Sequence, residues 1–139
     1  MIRSLARWIL ALALGAIGIV HFVSTRGFRV VVPDWATRLT RLDKDAIVIA
    51  SGAAEVALAA GLLLLPKERR RLGVATAAFF VAVFPGNVHQ WRTHRSTPGL
   101  DTEARRFGRL FLQPLLVIWA LWSTAEPSTE RRRRVRPIR

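Results

Sequence analysis

Long apolar stretches divide this 139-residue chain into four segments of similar length. The hydrocarbon core of a bilayer is about 30 Å thick and is crossed by about 20 residues of α-helix, so each stretch is long enough to span it. The runs are continuous rather than alternating, which favours helices over the strands of a β-barrel. The pattern therefore predicts an all-α integral membrane protein, a four-helix bundle over residues 1–125, with spans at residues 5–23, 46–65, 72–90 and 107–124.

The first stretch shares two features with a secretory signal peptide, because Arg3 and Arg7 lie at the start of an apolar run. That run is longer than the apolar region of a signal peptide, and no A-x-A-like cleavage site follows it before the polar residues that begin at Ser24. A transmembrane helix is therefore the favoured interpretation.

Every predicted span carries a polar side chain that the lipid interior disfavours. His21 lies at the end of span one and Glu55 about halfway along span two, while Asn87 lies near the end of span three and Gln113 early in span four. In an up-and-down bundle, the ends of spans one and three share a side of the membrane with the starts of spans two and four. Polar residues at such depths usually face the bundle interior and pair with one another. We therefore predict one polar cluster in one half of the bundle.

Glu55 is the member of this cluster that is most costly to bury. Ser51 lies one turn earlier on the same face, and Arg109 and Gln113 are four residues apart, so both point toward the same interior. We expect an ion pair between Glu55 and Arg109, with His21 beside it as a proton donor or acceptor. Two interpretations are open: a polar clamp that holds the helices together, or a ligand or proton site. The predicted members are His21, Ser51, Glu55, Asn87, Arg109 and Gln113.

Metal binding is not predicted, although histidine and glutamate are both present in the spans. Metal sites in helical bundles commonly use E-x-x-H or H-x-x-x-H on one helix face, and neither spacing occurs. His89 and His94 are five residues apart, which places them on different sides of a helix.

Small residues and prolines are placed where they would shape the bundle. Small side chains line one face of span one and much of span two, so the two helix backbones can approach closely. Pro85 and Pro114 each remove a backbone hydrogen bond next to a polar residue of the cluster. These features are consistent with a pocket between the spans, and equally with kinks that serve packing alone.

Two segments outside the spans have distinct compositions. The connection between spans one and two, residues 24–44, mixes aromatic residues, valines and arginines, which predicts a short interfacial element; a flexible loop is the alternative. Residues 126–139 form a basic tail with almost no apolar surface, so we predict that it is disordered.

The formal net charge of +13 adds information about partners and orientation. A basic tail would suit nucleic acid, but cationic ends also anchor membrane proteins and contact anionic lipid headgroups, so we expect membrane lipid as a partner and no nucleic acid. The turn at 66–71 holds four cations in six residues, which favours a cytoplasmic location for that turn and for both termini. The absence of cysteine excludes thiolate and disulfide chemistry by this chain.

Several short motifs occur in order along the chain: G-I-V-H-F at 18–22, V-P-D-W at 32–35, S-G-A-A-E at 51–55, G-L-L-L-L-P at 61–66, F-P-G-N-V at 84–88 and R-L-F-L-Q-P at 109–114. Together they resemble the DoxX-like family of small four-span bacterial membrane proteins. The resemblance implies a DoxX-like bundle in the bacterial cytoplasmic membrane. It also implies that the family's characteristic positions are occupied by His21, Glu55, Asn87, Arg109 and Gln113.

What the resemblance implies about function is broad. Relatives are associated with a thiosulfate:quinone oxidoreductase and with membrane oxidoreductase complexes, which implies a quinone as a candidate ligand and an oxidoreductase subunit as a candidate partner. Other relatives are linked to disulfide maturation, a chemistry that a chain without cysteine cannot perform itself. No G-x-G-x-x-G motif indicates a nucleotide cofactor, and no cofactor other than a quinone is suggested.

Three classes of function are therefore open. The favoured one is an accessory subunit, not catalytic alone, that binds a lipid-like or quinone-like molecule through the polar cluster, with another membrane protein or a second copy as partner. The second is a membrane oxidoreductase component or acid-base enzyme that uses Glu55 and His21. The third is a small proton-coupled transporter, against which four spans without a detectable repeat argue mildly.

Overall fold

The computed structural model describes residues 1–97 and 101–125, and this part of the chain is largely helical. Four of its helices are long and apolar enough to cross a membrane, which confirms the four predicted spans as helices. They are α1 (Ile2–Val23), α4 (Lys44–Leu64), α5 (Arg69–Arg92) and α6 (Glu103–Thr124). The predicted disorder of the tail concerns residues 126–139, which lie outside the described residues.

The predicted interfacial segment between the first two spans is helical as well. It contains α2 (Thr25–Phe28), a 3-10 turn (Arg29–Val31) and α3 (Asp34–Thr40). We call residues 24–43 the cap. The cap ends at a defined point because Arg41 adopts the left-handed conformation, with φ of 58°, and Asp43 then accepts a hydrogen bond from the Ala46 amide at 2.7 Å as the N-cap of α4.

Helices α1 and α4 are held close together by a reciprocal pair of glycines. A Cβ atom at Gly18 would lie 2.8 Å from the Gly52 carbonyl oxygen, and a Cβ atom at Gly52 would lie 2.8 Å from the Gly18 carbonyl oxygen. Neither backbone could keep this position with a larger residue, so the predicted close approach of small residues is present here. Three residues beyond each glycine come His21 and Glu55, which the approach places side by side.

The apolar core fills the half of the bundle nearest the start of α1 and the end of α6. Its buried residues come from all four long helices and are Leu10, Ala11, Leu14, Ala59, Leu62, Ala77, Phe80 and Ala120. At this end the Trp119 indole donates a hydrogen bond to the Ala6 carbonyl oxygen at 3.1 Å, which joins α6 to α1. The opposite half of the bundle, below the cap, is not filled in this way.

Ion pairs attach the cap to the start of α4. Arg29 pairs with Asp45 through two hydrogen bonds, and Lys44 Nζ lies 2.7 Å from Asp34 Oδ1. The Lys44 ammonium holds the pKa of Asp34 below its usual range, and the Asp45 carboxylate raises the pKa of Arg29. The cap also packs on α5, where Gly86 leaves room for Val31: a Cβ at Gly86 would lie 3.0 Å from the Val31 carbonyl oxygen.

Candidate binding cavity

A cavity of about 830 Å³ lies between the four long helices and beneath the cap. Apolar side chains form most of its wall and polar groups a smaller part, which is the composition typical of small-molecule sites. All six residues of the predicted cluster line this one cavity: His21, Ser51, Glu55, Asn87, Arg109 and Gln113. The structure therefore brings them together, while their role as ligand contacts stays a prediction.

The Glu55 carboxylate is paired with His21. Glu55 is only 6% exposed, and its Oε2 lies 3.0 Å from His21 Nδ1. The same ring nitrogen lies 3.0 Å from the Ile17 carbonyl oxygen, to which its N–H is directed. Since a carbonyl oxygen only accepts, Nδ1 carries the proton. The contact with Glu55 is thus electrostatic, and Oε2 is left without a hydrogen-bond partner among the described residues.

The predicted ion pair between Glu55 and Arg109 is wrong in its choice of partner. Arg109 lines the cavity and lies close enough to be influenced by the Glu55 charge, but among the described residues it has no carboxylate within ion-pair distance. The prediction that Glu55 and Arg109 point into the same interior is confirmed, since both side chains line the cavity. The reason for the difference is the glycine contact between α1 and α4, which brings His21 Nδ1 to 3.0 Å from Glu55 Oε2.

Gln113 has a structural contact that the sequence did not reveal. Its side-chain nitrogen donates a hydrogen bond to the Phe80 carbonyl oxygen at 2.8 Å, in the buried interior. Phe80 is one residue before Val81, whose carbonyl cannot receive the usual helical hydrogen bond because Pro85 has no N–H. Gln113 therefore joins α6 to α5 close to the proline, and its N–H donor is engaged by the protein itself.

Asn87 is a buried residue of the cavity wall whose side-chain donor is unmet. It is 4% exposed, it lines the cavity, and its Nδ2 has no hydrogen-bond partner among residues 1–97 and 101–125. Buried polar atoms nearly always have partners, so an exception next to a cavity needs an explanation. The cavity wall thus presents an unmet donor on Asn87, an unmet acceptor on Glu55 and the unpaired guanidinium of Arg109, and we call these three groups the polar end of the cavity.

The cap contributes a large part of the wall, which sequence reasoning missed. Its Phe28 ring packs against the His21 ring with a centroid distance of 4.2 Å, and Val32 and Trp35 also face the cavity. The aromatic and valine content of the segment indicated an interfacial element, but its short helices have no extended apolar period that would predict an inward face. The cap covers the polar end of the cavity.

One side of the cavity is open between α1 and α6. Ile17 and Leu112 both line the cavity while remaining 49% and 50% exposed. Gly108, one turn before Leu112, also lines it, and a Cβ atom added there would have no heavy atom within 4 Å. Because these residues belong to candidate membrane spans, the opening faces the region that lipid would occupy.

No cluster of three or more His, Asp or Glu side chains within the described part of the chain could hold a metal ion. His94 instead contacts Glu103 at 3.0 Å near the start of α6, away from the cavity wall.

These features define an all-helical protein with four candidate membrane spans and a cavity that is apolar along most of its wall and polar at one end. The chain belongs to the family described as Domain of unknown function (DUF8561), whose model matches residues 10–124. No curated protein and no solved structure matches the chain significantly. The matched range contains every residue that lines the cavity, so the cavity belongs to the part of the chain that the family model covers.

Proposed function

We propose that this protein binds a lipid-like or quinone-like amphiphile in its cavity, and that it acts as an accessory subunit rather than as an enzyme on its own. The observation that carries the proposal is the combination of an 830 Å³ apolar-walled cavity with unmet polar groups at one end. The apolar body of an amphiphile would fill the wall, and its polar end would meet Asn87 and Arg109. A polar clamp between helices would pair these groups with one another, whereas Asn87 Nδ2 and Glu55 Oε2 have no hydrogen-bond partner among the described residues.

The proposal places the protein in the bacterial cytoplasmic membrane with both termini in the cytoplasm. The cations of the 66–71 turn support this orientation, and the resemblance of the ordered motifs to DoxX-like proteins supports the bacterial setting. The cavity and cap then lie in the half of the membrane away from the cytoplasm. An oxidoreductase subunit, another membrane protein or a second copy of the chain would be the partner that uses the bound molecule.

Native mass spectrometry on protein purified in a mild detergent tests this function. We expect the wild type to retain a defined small molecule and Gly108→Leu to retain much less, because the new side chain extends into open space at the cavity wall. Ala78→Leu is the matched control, since Ala78 is exposed on α5 and does not line the cavity. Wild type that carries only bulk phospholipid, or equal retention by Gly108→Leu, would contradict the proposal.

A second candidate function is supported by the contact between Glu55 and His21. A carboxylate 3.0 Å from an imidazole inside a cavity has the arrangement of a general acid-base pair, and Oε2 is free to accept a proton from a bound molecule. On this proposal the protein is the part of a membrane oxidoreductase that exchanges protons with a quinone. Cell-based activity that survives Glu55→Gln would exclude this role and leave binding alone.

A further inference from the structure

We infer that the polar end of the cavity holds the anionic end group of its ligand, a carboxylate or a phosphate, on Arg109 and Asn87. The inference rests on the proposed binding function and narrows the class of amphiphile. Both side chains line the cavity, and among the described residues neither the Asn87 Nδ2 nor the Arg109 guanidinium has an acceptor. The two unmet groups both donate hydrogen bonds, and one of them is a cation.

The charges around the cavity favour an anion over the alternatives. An arginine within a membrane span is costly unless it is paired, and the one carboxylate that influences it, Glu55, makes its direct contact with His21 rather than with Arg109. Arg105, at the cavity rim, is already paired with Asp101 at 2.8 Å. A cationic end group would be repelled by Arg109. A neutral carbonyl would accept its hydrogen bond but leave its charge without a counter-ion.

Guanidinium geometry agrees with this choice of ligand. Its planar set of N–H donors matches the oxygens of a carboxylate or phosphate, which it binds through paired, charge-assisted hydrogen bonds. The amide of Asn87 supplies a further donor from the neighbouring helix. Glu55 Oε2 remains as an acceptor, so an end group that also carries a hydroxyl, such as a glycerol phosphate, would satisfy all three groups.

The opening between α1 and α6 explains how the apolar part of such a ligand is accommodated. Ile17 and Leu112 border the opening at the level of candidate membrane spans. An acyl chain bound in the cavity can therefore extend through this opening into lipid, and the anionic end group can stay beneath the cap.

A series of probes with one acyl chain and different end groups tests the inference. Detergent-purified wild type at pH 8.5 is titrated with 1-oleoyl-lysophosphatidate, oleate, oleyl alcohol, oleylamine and decylubiquinone, and binding is measured by native mass spectrometry. We expect at least one anion to bind tenfold or more tightly than oleyl alcohol and decylubiquinone. The ratio between the phosphate and the carboxylate then distinguishes a phospholipid-type ligand from a fatty acid.

Variants locate the anion. Arg109→Gln should remove the preference for the anion over oleyl alcohol, and Arg92→Gln, which should keep that preference, is the matched control because Arg92 is exposed at the end of α5. Equal affinities for all end groups in the wild type, or an anion preference that persists in folded Arg109→Gln, would overturn the inference. If Arg109→Gln does not fold, the affinities of the wild type for the different end groups still test the inference. Failure of every probe to bind would instead overturn the proposed binding function.

Discussion

Glu55 and His21 form the closest contact between ionisable side chains of the cavity, at 3.0 Å. Both side chains are largely buried, where the interior of the bundle disfavours polar groups, so each stabilises the other. Arg109 interacts with Glu55 over a longer distance. The structure therefore distinguishes a contact pair from a pair that is coupled only by charge.

Double-mutant cycles on unfolding stability test this distinction. We expect Glu55→Gln and His21→Gln to be coupled by about 1 kcal/mol, in the range measured for polar contacts between membrane helices. The cycle of Glu55→Gln with Arg109→Gln should give a smaller value, because the two side chains do not touch. A coupling of Glu55 to Arg109 larger than that to His21 would show that the sequence-based ion pair is correct and the structural assignment wrong.

The sequence predicted which residues share the cavity but not which of them touch. Burial cost selected Glu55 and His21, and the spacing of four residues placed Arg109 and Gln113 on one helix face. Contact between side chains depends in addition on how far neighbouring helices are shifted along their axes, and a shift of one residue moves a side chain by about 1.5 Å. For α1 and α4 this axial shift is fixed by the contact between Gly18 and Gly52. The sequence showed only that small residues were present there.

At the scale of helices, the packing of α1 on α4 depends on two glycines whose missing side chains let the backbones meet. Alanine at either position would bring its Cβ within 2.8 Å of a carbonyl oxygen of the other helix. Gly108 on α6 has no such neighbour. The same substitution is therefore expected to have opposite effects at the packed positions Gly18 and Gly52 and at the open position Gly108.

Gly52→Ala should lower the unfolding temperature and reduce the yield of folded protein, because α1 and α4 must separate to admit the methyl group. Gly108→Ala should be neutral or stabilising, by up to about 1 kcal/mol, since alanine favours helix over glycine and meets nothing. Thermal unfolding in detergent, followed by circular dichroism, measures both. Equal effects of the two substitutions would contradict the close packing at Gly52.

The cap is attached by exposed ion pairs, so its opening should be local. In the double variant Asp34→Asn/Asp45→Asn, which lacks both ion pairs, we expect faster hydrogen–deuterium exchange in residues 24–43. Exchange in the middle of the four spans should be unchanged. Lys67→Gln, in the turn at the other end of the bundle, is the control. Exchange that rises throughout the spans would show that these ion pairs hold the whole bundle rather than the cap.

The cap should also respond to acid. The folded pKa of Asp34 is lowered by Lys44, so the pair stabilises the closed cap above the pKa of an unfolded aspartate, about 3.9, and this contribution is lost as the pH falls through the lower folded value. Exchange in residues 24–43, corrected for its intrinsic pH dependence, should therefore increase below about pH 4 in the wild type. In Asp34→Asn the increase in exchange on acidification should be smaller, because position 34 no longer titrates.

Helix positions were predictable from the sequence because each span is a long apolar run, and membranes require backbone hydrogen bonds to be satisfied within the segment. The inward face of the cap was not predictable in the same way. Its helices have four and seven residues, too short to show a period. Phe28, Val32 and Trp35 face the cavity because ion pairs hold the cap on the start of α4 and Gly86 lets it pack on α5.

For the whole molecule, the proposed orientation can be tested with single cysteines, because the chain has none of its own. Thr40→Cys in the cap and Lys67→Cys in the basic turn are both exposed. A membrane-impermeant maleimide applied to spheroplasts should label Thr40→Cys at once and Lys67→Cys only after the membrane is opened. The opposite order would place the cavity in the cytoplasmic half of the membrane.

The central claim is that the polar cluster forms one end of a cavity that holds an amphiphile. A crystal structure of the gently purified protein, grown in a lipid mesophase, tests it most directly. The account predicts elongated density between the four long helices, with its polar end within hydrogen-bond distance of Asn87 Nδ2 and the Arg109 guanidinium and its apolar part leading between Ile17 and Leu112. A closed bundle without this density, in which Arg109 contacts Glu55 directly, would contradict it.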